Sequence, residues 1–84
     1  MLVATPPALH ADLTLAALRA GKHVVVEKPP FLRSADFAPV EAAARAAGRQ
    51  VLVAENYHYK PLARTLRRLL AEGVIGEVLF LHVN

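Results

Sequence analysis

Eighty-four residues make at most one small domain, and a chain of that size buries only about 60 to 65% of the surface its unfolded form exposes. With 55% apolar residues, no cysteine and a formal net charge of +3, the composition excludes a disordered chain, a disulfide-stabilised secreted domain and a thiolate metal centre. No apolar run nears the roughly 18 to 20 residues that cross a bilayer and no signal-type leader opens the chain, so a soluble, cytoplasmic protein with no membrane partner is expected.

Met1-Leu2-Val3-Ala4 is a short apolar run closed by Thr5-Pro6-Pro7, which suits a buried strand stopped by residues that cannot continue a ladder. Leu9, Leu13, Ala16, Ala17 and Ala20 then recur at helical spacing, and Gly21 stands where helices commonly end. His23 to Val26 predicts a second strand. Its three consecutive valines predict burial on both faces, as in a parallel strand between helix layers. Phe37, Val40, Ala44 and Ala47 mark a second helix before Gly48. Ser34 or Asp36 can cap it, and Asp36 fits better because it keeps Pro39 in the first turn, where amides have no internal partner to lose.

Gln50 to Ala54 reads as a third strand, ending in the polar cluster Glu55, Asn56, Tyr57, His58 and Tyr59. Pro61 opens a third helix that stops at Gly73. Leu62, Leu66, Leu69 and Leu70 form one face of it; Arg64, Arg67 and Arg68, with Lys60 just before, form a basic one. A basic patch can meet phosphates, but a solvated helix face accounts for it, and nucleic acid is not expected as a partner. After Gly76, Glu77 to Val83 predicts a fourth strand.

Strands alternating with helices predict an α/β fold, a partial Rossmann-type parallel sheet with the carboxyl ends of its strands on one edge. Ligands of such sheets bind in the crevice beyond those ends. The valine strand runs there straight into Glu27-Lys28-Pro29-Pro30, an abrupt change from buried hydrocarbon to charge. Thr5, Lys28 and Asn56 fall on the same edge.

Ala4-Thr5-Pro6-Pro7, His10, Ala20-Gly21-Lys22-His23-Val24, Glu27-Lys28-Pro29, Asn56 and the Gly73-Val74-Ile75-Gly76 turn, in that order, resemble the middle of a Gfo/Idh/MocA oxidoreductase, the glucose-fructose oxidoreductase and inositol dehydrogenase group. The resemblance implies an NAD(P)-binding Rossmann domain whose later part is residues 1–74, with 75–84 beginning the α/β substrate domain and its first strand. It implies that Thr5 and Pro6 lie along NAD or NADP, Pro7 and His10 near its ribose and pyrophosphate, and Glu27, Lys28, Pro29 and Asn56 near the nicotinamide. Lys28 is the implied catalytic residue, a cation that stabilises charge on a substrate oxygen while hydride moves to or from the cofactor. The implied substrate is a sugar, polyol or related hydroxyl compound, and the implied assembly of the complete protein is a homo-oligomer. Tyr57, His58 and Tyr59 alternate along the backbone, so no choice is made among them, and His82 is expected on the second domain's sheet without a chemical role. No metal site is expected.

The chain departs from that pattern in two respects. Its four glycines do not form the Gly-x-Gly-x-x-Gly turn that brings backbone amides to a pyrophosphate. It also stops where a substrate domain would begin. A piece of a longer oxidoreductase, inactive by itself, is the expectation. The alternative is a non-catalytic Rossmann remnant or interaction module that pairs with another chain through an open sheet edge.

Overall fold

A computed structural model describes residues 1–82. Strands β1 (Leu2–Val3), β2 (Val24–Val26) and β3 (Val51–Val53) alternate with helices α1 (His10–Arg19), α2 (Phe37–Ala47) and α3 (Pro61–Ala71). Short 3-10 turns precede each helix at Pro7–Leu9, Ser34–Asp36 and Asn56–Tyr59. The sheet is parallel in the order β1-β2-β3, with Leu2, Val25 and Leu52 in one row and Val3, Val26 and Val53 in the next. This is the expected α/β architecture, with strands one or two residues shorter than their apolar runs.

Crossovers of one hand that step across a sheet in one direction place their helices on one face. Accordingly, α1 and α2 pack on each other, and the core is Val3, Val24 and Val26 of the sheet against Ala17, Leu18 and Val40 of the helices. The predicted two-sided burial of the valine strand is corrected here. Val24 and Val26 are buried while Val25 is 37% exposed, and its row neighbours Leu2 and Leu52 are more exposed still. No described element covers that face, because the chain never reverses its direction across the sheet.

The buried face of α1 is also rotated from the predicted one. It carries His10, Thr14, Ala17 and Leu18, whereas Leu9, Ala16 and Ala20 are exposed. Two polar side chains sit where a count of apolar residues finds none. Both α1 and α2 end as expected, at Gly21 and Gly48; Gly48 adopts φ 61°, which lets the Arg49 amide donate back to Ala44 O at 2.9 Å.

Asp36 is the residue at which α2 begins, but its carboxylate does not cap the helix. The preceding 3-10 turn already holds its backbone in helical conformation, which turns the side chain toward Arg33 instead. Phe31, unmarked by any periodicity, is buried in the core and meets Phe37 edge to face, with ring centroids 4.9 Å apart.

The predicted fourth strand does not form across Glu77–His82, and Val83 lies outside the described residues. Leu79, Phe80 and Leu81 are exposed; a strand needs a neighbour to take its amides and carbonyls, and among the described residues none pairs with this segment. His82 is therefore exposed and on no sheet. Helix α3 packs mainly on the Asn56–Tyr59 turn, and its leucine face is exposed at Leu62, Leu66 and Leu70 as its arginine face is.

Thr14 is fully buried and its hydroxyl has no hydrogen-bond partner among the described residues. A buried hydroxyl without a partner loses its hydration uncompensated, at a cost of about 1–3 kcal/mol. Thr14→Val, which keeps the shape and removes the polar atom, is expected to raise the unfolding free energy by about 1 kcal/mol in urea titrations. A loss of stability would show that the hydroxyl is satisfied in solution.

Candidate functional site

The three strands end in register at Val3, Val26 and Val53. Thr5, Lys28 and Glu55 each stand two residues beyond those ends and Asn56 one further, so the expected alignment along one edge is present. The ladder holds it there: Glu27 donates its amide to Val3 O and Ala54 donates to Val26 O, both at 2.9 Å.

Glu27 turns its carboxylate back on its own loop, where Oε2 accepts the Lys28 amide at 3.0 Å. The Lys28 ammonium is exposed and has no ion-pair partner among the described residues. The Lys28–Pro29 peptide bond is cis. Glu55 behaves as Glu27 does, accepting the Tyr57 amide at 3.1 Å and so capping the Asn56–Tyr59 turn. In both cases a backbone amide holds one carboxylate oxygen, so the group keeps acceptor capacity for a ligand hydroxyl.

On the uncovered face these ends border a cleft of about 430 Å³ lined by Val25, Glu27, Leu52, Val53, Ala54, Glu55, Asn56 and Tyr59. Its floor is the exposed valine and leucine row, and its rim carries two carboxylates, an amide and a phenol. Such a surface suits a ligand with a flat, weakly polar ring and hydroxyl groups beside it. Glu27 and Asn56 both line this cleft. Glu55 and Tyr59 line it without having been singled out, although Glu55 shares its register position with Lys28 and could have been found by aligning the strand ends.

The remaining predicted residues are elsewhere. Thr5 and Pro6 are exposed at the end of β1. Pro7 lines a separate depression of about 230 Å³ with Asp12, Leu32, Arg33 and Asp36. His10 is 1% exposed. Its Nε2 lies 2.8 Å from Thr5 O, and its Nδ1 lies 2.9 Å from Pro29 O and 3.2 Å from Pro30 O. The structure thus puts His10 beneath the loops, with both ring nitrogens engaged by backbone, and presents no free atom of it to a ribose or pyrophosphate.

In the tyrosine cluster, the Lys60 ammonium sits 3.6 Å from the centre of the Tyr57 ring, and His58 meets Tyr59 edge to face. Arg67 donates to His58 O, tying α3 to this turn. A shallow groove of about 440 Å³ along α3, lined by Pro61, Arg64, Thr65 and Arg68, contains no buried polar group. Among the described residues no helix is long and apolar enough to cross a membrane, and no cluster of His, Asp and Glu has the makings of a metal site.

Residues 1–55 match the family model for Gfo/Idh/MocA proteins, described as an oxidoreductase family with an NAD-binding Rossmann fold. The chain belongs to the Gfo/Idh/MocA oxidoreductase family. It is 45% identical over 76 residues to the 1,5-anhydro-D-fructose reductase of Ensifer adhaerens, covering 88% of this chain and 22% of that protein. It is 32% identical over 78 residues to the scyllo-inositol 2-dehydrogenase (NADP(+)) of Bacillus subtilis, covering 93% and 22%. Among solved structures, an NAD-binding protein from Listeria innocua superposes with a TM-score of 0.86 at 33% identity, covering 90% of this chain and 22% of that one. The chain therefore spans about a fifth of the length of the Gfo/Idh/MocA relatives it matches.

Beside the site, Arg33 Nη2 donates to Asp36 Oδ1 at 2.7 Å. That hydrogen bond holds the Asp36 carboxyl below its ordinary pKa and, with the carboxylate's charge, raises the guanidinium's. A carboxyl lowered in the folded state contributes stability that is fully present above its unfolded value and fades as pH falls through the lowered one. The Arg33 side chain is open to solvent while that of Asp36 is mostly covered, so salt weakens the pair from the arginine side. An NMR titration of the Asp36 side-chain carboxyl is expected to give a midpoint below the ordinary 3.8, moving up in Arg33→Gln. A midpoint at or above 3.8 in the unsubstituted chain would show that the pair does not form.

Proposed function

We propose that the chain is the later part of the nucleotide-binding domain of an NAD(P)-dependent oxidoreductase acting on a hydroxyl or carbonyl group of a sugar, polyol or related compound. On this reading residues 1–74 belong to that domain and 75–84 begin the next. The observation that carries it is the common edge on which three parallel strands deliver Thr5, Lys28 and Asn56, with an apolar cleft opening beside Glu27 and Asn56. Relatives named as a 1,5-anhydro-D-fructose reductase and an NADP(+) inositol dehydrogenase support the substrate class.

The residues present fit one end of a nicotinamide dinucleotide. Val25 and Leu52 supply an apolar floor for the ring, and Glu27 and Glu55 supply carboxylate acceptors for ribose hydroxyls. Thr5, Pro6 and Pro7 would run along its length, Pro29 would hold the lysine loop against it, and Asn56 would stand at its nicotinamide end. No glycine-rich turn for the pyrophosphate occurs in these 84 residues. When bound, the nicotinamide takes or gives the hydride. Lys28 is the catalytic residue of the proposal: its ammonium, without a carboxylate partner among the described residues, donates a hydrogen bond to the substrate carbonyl oxygen, stabilises the negative charge that grows there as hydride arrives, and gives it a proton that solvent then restores. Glu27 orients the lysine loop by accepting the Lys28 amide.

A complete enzyme tests this: the Ensifer reductase with its matched 76 residues replaced by those of this chain. The chimera is expected to turn over with a reduced nicotinamide cofactor. Lys28→Ala is expected to lower kcat by about 10² to 10⁴, the range for losing one charge-stabilising or proton-transferring group, with cofactor Kd changing less than about threefold. Unchanged turnover in that variant would return Lys28 to the role of an ordinary surface lysine.

A further inference from the structure

We propose that His10 is a positioning residue that couples the cofactor-side loop after β1 to the catalytic loop after β2, so that Thr5 and Lys28 are held as one unit. The proposal rests on the oxidoreductase reading above. Thr5 O and Pro29 O lie beyond the ends of their strands, and neither accepts a backbone amide among the described residues. Polar groups in that position need another partner where water is excluded.

The His10 imidazole lies between them, and because both are acceptors it serves both only with a proton on each ring nitrogen. Its Nε2 lies 2.8 Å from Thr5 O and its Nδ1 2.9 Å from Pro29 O, with Pro30 O at 3.2 Å. The ring is rigid and 1% exposed, so the separation of its two nitrogens sets the separation of the two loops. Lys28 is consequently fixed on both sides. Glu27 N–H donates to Val3 O at 2.9 Å just before it, and the Pro29 carbonyl rests on His10 just after it. Phe31, buried in the core, prevents the loop from lifting further along. A displacement of about 1 Å at a reacting group costs on the order of 10²-fold in rate, so a clamp on the residue next to Lys28 bears on turnover without touching substrate or cofactor.

Two side chains split the clamp. In His10→Asn the amide nitrogen takes the place of Nδ1 and keeps the Pro29 contact; in His10→Gln it takes the place of Nε2 and keeps the Thr5 contact. His10→Leu keeps only the volume. In the chimera, His10→Asn is expected to retain kcat while cofactor Kd rises about tenfold, and His10→Gln to retain Kd while kcat falls about tenfold or more. His10→Leu is expected to lose both. A merely structural histidine lowers thermal stability in all three without that split. Parallel changes in kcat and Kd in His10→Asn and in His10→Gln, or no change in either, overturn the proposal.

A second measurement separates this outcome from failure of the oxidoreductase reading. In the full 84-residue chain, labelled with ¹⁵N, His10→Leu is expected to shift the amide resonances of Thr5 and Ala8 together with those of Lys28 and Phe31. Shifts confined to one loop overturn the coupling. If the unsubstituted chimera is inactive, the reading of function fails, and the amide shifts alone decide whether the clamp exists.

Discussion

Everything in this chain that could meet a ligand depends on β2 being bonded along both edges. Val25 donates to Met1 O and Glu27 to Val3 O on one side; on the other, Val24 donates to Gln50 O and Val26 accepts from Ala54. A strand only three residues long gains little from its own geometry, but as the middle member of a parallel ladder it has partners for its amides and carbonyls. That ladder sets the register, and the register sets which residues emerge at the carboxyl edge. A slip of one residue would turn Val24 and Val26 out of the core and bury Val25 in their place.

The second determinant is the one-sidedness of the packing. Because the chain steps across the sheet in one direction, α1 and α2 share a face and leave the row of Leu2, Val25 and Leu52 open. The same topology that builds a core of seven buried apolar side chains also leaves an apolar floor beside Glu27, Glu55 and Asn56. Core and cleft are thus opposite faces of one sheet. The Gfo/Idh/MocA relatives are about four times as long as this chain, so it presents a fraction of their framework.

Much of this was legible in the residues. Proline and glycine mark chain direction by rules that depend only on backbone chemistry, so Pro6 and Pro7, Gly21, Gly48 and Pro61 placed the element ends to within a few residues. The valine run ending in Glu27-Lys28-Pro29 announced a sheet edge because a continuous apolar run that gives way at once to two charges and prolines has the composition of a strand leaving its sheet. The buried side of α1 was not legible. His10 and Thr14 count as polar in any periodicity, and only the position of two distant carbonyls shows why a histidine is at home there. Phe31 was missed for a similar reason: it lies in a loop, where no spacing marks a residue as core. Glu77 to Val83 has the composition of a strand, but composition supplies no neighbour.

The sequence by itself determined the alternation of strands and helices, the family, and the residue types at the strand ends. These follow from local chain stiffness, hydrophobic period and motif spacing, which are properties of neighbours along the chain. Only the tertiary structure decided which face of each strand is buried, that Glu27 and Glu55 bend back onto their own loops, and that His10 joins Thr5 to Pro29 across 24 residues of sequence separation. Those are matters of contact between segments far apart in the chain, and no local pattern encodes the distance between two loops.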